Sequence, residues 1–180
     1  FVITWTFDDG NGNVITANQN VIVSDTTDPN TPTLADVTGQ CDATAAVPTT
    51  TDNCAGTING TTSDPLTYSA QGTHVITWTF DDGNGNVITA NQNVIVNDTT
   101  APTIVSKPIS VTLTANGTVA ITAQGVLQSG TDNCTSAIVY TLSQSTFGAT
   151  DANNSPVTVQ LTGTDASGNA TIVPAQVTVI

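Results

Sequence analysis

Aspartate is the side chain through which this protein has most chemistry to offer. All 14 of its acidic residues are Asp, against a single basic residue, Lys107, so the formal net charge is -13. Carboxylate and amide oxygens, with backbone carbonyls, are the ligands that calcium takes. The run Asp81-Asp82-Gly83-Asn84-Gly85-Asn86, repeated from Asp8 to Asn13, carries part of the alternating Asp and Asn character of a calcium loop. It lacks the distal Glu of an EF-hand, and a Gly-Asn hairpin also explains it with no ion. Asp25 and Asp98 each open an Asp-Thr-Thr segment, and Asp52 and Asp132 each sit in Thr-Asp-Asn-Cys. The expected calcium ligands are therefore Asp81, Asp82, Asn84, Asp98 and Asp132 at one junction, with Asp8, Asp9, Asp25 and Asp52 as the upstream equivalent.

Other chemistry finds little to work with. Hydrolysis needs a nucleophile, a base and an orienting group, yet the sole His is His74, at the start of a strand-like run, and Glu and Arg are absent. The chain reads as no enzyme. Zinc needs paired thiolates or imidazoles, and Cys41, Cys54 and Cys134 form no Cys-x-x-Cys pair. Cys41 and Cys54 are close in sequence and are expected to form a disulfide. Closing that loop of about 14 residues removes roughly 3 kcal/mol of unfolded-state freedom.

The elements that must position these residues are strands. Thr, Asn, Gly, Val and Ile dominate, a composition that disfavours helix and suits short strands joined by polar turns. Ile76, Trp78 and Phe80 alternate with Thr77 and Thr79, which places the large apolar groups on one face. The Gly-Asn turn follows, and Val87 to Val96 returns as the partner strand. Ile109, Val111 and Leu113, then Val157, Val159 and Leu161, repeat the alternation, the latter before the turn at Asp165 to Asn169.

Self-comparison divides the chain. Val2 to Val23 recur unchanged at Val75 to Val96, and the match extends through Asp-Thr-Thr-x-Pro at 25 to 29 and 98 to 102. Such a period is too long for a solenoid and suits a compact sandwich. The expected domains are 1–24, the closing strands of a truncated module; 25–97, a complete module; and 98–180, a divergent one. Pro29 and Pro102 stiffen the junctions. The chain opens inside a strand pattern and reads as an internal piece of a longer protein. Its charge disfavours nucleic acid and anionic lipid, and no apolar run reaches the roughly 20 residues that span a bilayer.

In the Asp-Thr-Thr-x-Pro openings, the Thr-Asp-Asn-Cys segments at 51 to 54 and 131 to 134, and the Asp-x-x-Gly-Asn turn at 165 to 169, the sequence resembles hyalin-repeat (HYR) and HYR-like modules. These are immunoglobulin-like sandwiches abundant in surface adhesins of Bacteroidetes. The resemblance implies an all-β array of tandem immunoglobulin-like β-sandwiches, extracellular and at the cell surface, serving as a stalk for attachment or gliding and exported by type IX secretion. Partners would be neighbouring repeats, surface polysaccharide or other surface proteins. Modules like the last one usually carry four cysteines. Here Ser106, Gly148 and Val173 stand at the other three positions, which implies an unpaired Cys134. Asp25-Thr26-Thr27 and Asp98-Thr99-Thr100 resemble an O-glycan acceptor motif of that phylum, implying glycan on Thr26 and Thr99. Two other functions compete: a filament or sheath subunit with strand exchange, and an accessory carbohydrate-binding module, which the scarcity of aromatics disfavours.

Overall fold

The computed structural model describes residues 1–134 and 137–180. The described residues are all-β apart from two short helices, Ala123–Val126 and Ala149–Asn153. Its residues form two compact units. Phe1–Ala35, Ala46–Asp64 and Ile76–Gln92 make the first; Asp36–Ala45, Pro65–Val75 and Asn93–Ile180 make the second. The long strands Gly72–Asp81 and Val87–Val96 each contribute residues to both.

In the first unit, period-2 alternation does what pleat geometry requires. Ile76, Trp78 and Phe80 are buried while Thr77 is exposed between them. The indole N–H of Trp78 donates to Gln92 Oε1 at 3.0 Å, and Gln92 Nε2 donates to the Ala35 carbonyl at 3.0 Å. Buried polar atoms are thereby satisfied. Gly60 lies where a Cβ would stand 3.1 Å from both the Trp78 and Phe80 rings, a close approach that would make the rings give way. The hairpin Thr49–Asp52 with Gly56–Asn59 supplies further strands. The second copy of the repeat, Val2–Asp8 paired with Val14–Asn20, forms the same antiparallel hairpin, but its Trp5 is 49% exposed where Trp78 is 1% exposed.

The second unit contains a sandwich. One sheet runs Ile109–Val111, Ala170–Val179, Val157–Thr164, Val139–Leu142, with the first strand parallel to the second and the others antiparallel. Thr103–Ser106 pairs with Leu127–Thr131, and Thr118–Ala120 with Thr146–Gly148. Ile104 and Phe147 from these pairs join Val159, Leu161, Ala175, Val177 and Val179 from the four-stranded sheet in one core. That is the layered packing of an immunoglobulin-like sandwich. The unit also holds Val37–Gly39, parallel to Val94–Val96, and Ala43–Thr44 paired with Thr67–Tyr68.

The disulfide differs from both cysteine expectations. Cys41 is bonded to Cys134, and Cys54 is the free thiol. Nearness in sequence misleads here. Parallel pairing of Val37–Gly39 draws Cys41 into the second unit, where the Cα atoms of Cys41 and Cys134 are 4.8 Å apart, whereas Cys54 follows Thr49–Asp52 into the first. Neither a Cys41–Cys54 bridge nor an unpaired Cys134 survives.

The bridge spans a sequence separation of 93 residues. Loops of that length lose about 4–5 kcal/mol of unfolded-state freedom in the chain-entropy model, against about 2–5 kcal/mol measured for native bridges. Cys41→Ser should therefore lower the unfolding free energy by about 2–4 kcal/mol, whereas Cys54→Ser should change it by no more than about 0.5 kcal/mol. Denaturant titration of the oxidised protein measures both, and thiol counting in denaturant should find one free thiol per chain; a count of three would refute the bridge.

Candidate metal sites

Each acidic site is built from three short motifs whose carboxylates cap their own backbone. Asp25 Oδ1 accepts the N–H of Thr27 at 3.1 Å, and Asp98 Oδ1 accepts that of Thr100 at 3.0 Å. Asp52 Oδ1 accepts from Cys54 and Ala55, both at 2.8 Å, and Asp132 Oδ1 accepts from Cys134 at 3.0 Å. In the hairpin turns, Asp82 Oδ1 accepts from Asn84 and Asn86, and Asp165 Oδ1 from Ser167 and Asn169. The amides of Asn86 and Asn169 then reach back to the second oxygen of the same Asp, at 2.7 and 2.9 Å. Such side-chain closure is the mechanism that makes Asp and Asn turn residues. Positive φ at Gly83 and Gly85 completes the tight turn between the long strands.

Tertiary structure gathers these motifs twice. In the second unit, ligating oxygens of Asp98, Asp132 and Asp165 lie within 4.8 Å of one another. Asn169 Nδ2 donates to the Asp98 carbonyl at 3.1 Å, which ties the hairpin turn to the linker residue. Two glutamines hold the surroundings: Gln71 Oε1 accepts from the Asp98 N–H at 2.8 Å, and Gln40 Oε1 accepts from Asn133 Nδ2 at 3.1 Å. In the first unit, Asp25, Asp52 and the Cys54 sulfur form the matching group, and Asn84 Nδ2 donates to Asp25 Oδ2 at 3.3 Å. Asp82 is close enough for its charge to act on both Asp52 and Cys54.

The expected ligand sets are thus regrouped. Asp82 and Asn84 stand with Asp25 and Asp52, not with Asp98 and Asp132. The third member beside Asp98 and Asp132 is Asp165, which was not among the expected ligands. The physical reason is strand direction. The final strand Ala170–Val179 runs parallel to Ile109–Val111, so its start, and the Asp165 turn before it, lie at the end where the chain enters from Asp98. Asp8, Asp9, Asp81 and Asp82 join no group of three ligating side chains among the described residues. Asp81 and Asp8 instead cap the N–H groups of Gly83 and Gly10. A signal for Asp165 was present in sequence: Asp165-x-x-Gly168-Asn169 has the spacing of Asp82-x-x-Gly85-Asn86.

Hydrogen bonds hold four of the Asp carboxyls, Asp9, Asp52, Asp82 and Asp165, below the ordinary value. The backbone N–H groups of Ala55 and Cys54 pull Asp52 below the ordinary carboxylate value. Burial by itself would raise Asp82 and Asp165, but the amides of Asn86 and Asn169 and the turn N–H groups outweigh it, so both are lowered. Asp9, bonded chiefly by Asn13, is lowered too. The Cys54 thiol is pushed up by lost hydration around the sulfur, although the residue as a whole is exposed, and then by the charges of Asp25, Asp52 and Asp82.

No protein-family model and no curated protein matches the chain. Among solved structures, a chain titled "PcdhgB3 EC1-4 in 50 mM HEPES" is similar at 12% identity and a TM-score of 0.35, over 100% of this chain and 57% of that one.

Depressed carboxyl values stabilise the fold above the unfolded value of about 3.8, and that contribution is lost as pH falls through the lower folded values. With divalent cations chelated, carboxyl-carbon NMR titration should place the midpoints of Asp9, Asp52, Asp82 and Asp165 below 3.8. The thermal midpoint should drop steeply below about pH 4, and Asp165→Asn should make that drop shallower.

Proposed function

We propose that this chain is a structural and adhesive repeat segment of a secreted cell-surface protein, composed of HYR-like modules at 25–97 and 98–180 after the closing strands 1–24. The observation that carries the reading is the unchanged recurrence of Val2 to Val23 at Val75 to Val96, with each copy folded as the same long hairpin. Sequence kept so faithfully in tandem serves an array whose function lies in repetition. The Cys41–Cys134 bridge favours an oxidising, extracellular setting, and among the described residues no helix is long and apolar enough to cross a membrane.

In this reading the modules form an acidic rod, non-enzymatic, that holds a binding domain away from a cell or contacts surfaces directly during attachment or gliding. Like-charge repulsion extends the rod, and salt screens that repulsion within about 10 Å at 0.1 M. Calcium is the cofactor in this reading, held by the acidic groups within each module, and neighbouring repeats are the first partners. The filament alternative has one observation in its favour: Ile3, Trp5 and Phe7 leave the apolar side of the first hairpin exposed, a surface suited to strands donated by another copy.

Small-angle scattering separates these readings. A rod of modules should give a radius of gyration well above the roughly 16 Å of a compact 180-residue domain, independent of concentration; growth with concentration supports the filament, and a compact profile overturns both. Thr26 and Thr99 are exposed, and O-linked glycan is expected on each. Peptide masses of material from the native source check this, and unmodified peptides would remove the glycan from the proposal.

A further inference from the structure

We infer that the protein carries two calcium sites of one design, Asp98 with Asp132 and Asp165 in the second unit, and Asp25 with Asp52 and the adjacent Asp82 in the first. The inference rests on the calcium reading above and goes further by assigning the ligands, their number and their grouping.

Buried oxygens are the decisive observation. Asp98 is only 3% exposed, and its Oδ2 has no hydrogen-bond partner among the described residues. Asp52, at 7% exposure, has an Oδ2 in the same condition. A buried carboxylate oxygen without a donor costs free energy, and here Asp98 is grouped with two further carboxylates, Asp132 and Asp165, while Asp52 is grouped with the Asp25 carboxylate and the Cys54 thiol. The chain offers one Lys and no Arg to neutralise them. A bound cation would balance the charge, and repeat-related motifs build the same arrangement in both units.

The donor set selects the ion. What the two sites share is carboxylate: Cys134, the counterpart of Cys54 in Thr-Asp-Asn-Cys, has its sulfur committed to the disulfide and is no ligand. Soft, thiolate-seeking metals are therefore not served by the design. In each group the possible ligand atoms lie within 4.8 Å of one another, near enough for one cation to be reached from all three side chains. The carboxylates are hard oxygen ligands of the kind calcium takes, and the Oδ2 atoms of Asp98 and Asp52 are the oxygens without a hydrogen-bond partner among the described residues.

Isothermal titration of the intact, oxidised chain with calcium chloride tests the assignment. Two sites are expected, with affinities in the range of extracellular modules, about 0.1–1 mM. Saturating calcium at 10 mM should raise the thermal midpoint by about 3–10 °C relative to chelator. Asp98→Asn should remove one site and Asp52→Asn the other; Asn retains an oxygen for the local turn, and terbium luminescence on the unaltered protein provides a count that depends on no variant. Absence of saturable binding, or variants that bind as the parent does, would overturn the sites. A scattering profile that stays extended in chelator, combined with no binding, would sink the calcium sites alone and leave the rod.

Discussion

The parallel pairing of a short early strand with the last strand is the constraint on which the acidic sites depend. Ile109–Val111 contributes three residues to the sheet, yet its direction relative to the final strand decides at which end of the sandwich the turn before that strand lies. Because the final strand runs the same way, the Asp165 turn returns to the entry segment at Asp98, and the loop at Asp132 meets them there. Antiparallel pairing at that position would send the turn to the far end. Val37–Gly39 repeats the arrangement against Val94–Val96.

The duplicated hairpin separates local from tertiary effects within one molecule. Trp5 bonds Gln19 at 2.8 Å as Trp78 bonds Gln92 at 3.0 Å, and Asp9 closes its turn through Asn13 as Asp82 does through Asn86. Identical residues thus make identical local bonds. Burial is not shared: the face holding Trp78 and Phe80 is covered, with Gly60 set against both rings, whereas the face holding Trp5 and Phe7 is open. Hairpin geometry is a property of the segment, and core membership is a property of what packs on it.

Acidic gathering on this scale works against stability unless something offsets it. Turn N–H groups and Asn amides supply part of the compensation and keep Asp82 and Asp165 charged despite their burial. The amides of Gln40 and Gln71 brace the segment around Asp98, Thr100 and Asn133. The turn hydrogen bonds thus keep charge in place rather than relieving it.

Much was legible before any coordinates. Alternation along Ile76, Trp78 and Phe80 and the Gly-Asn turns follow from interactions within a few residues, because pleat and turn closure act at separations of two to four, and the repeat is visible by comparing the sequence with itself. Composition settled the all-β class for the same reason. The partner of Cys41, the regrouping of Asp82 with Asp25 and Asp52, and the place of Asp165 were decided by tertiary structure. Period-2 patterning says which side chains share a face but not which strand lies beside which, or in which direction. Those choices belong to strand order across the sheet, and they bring together residues as far apart as Cys41 and Cys134.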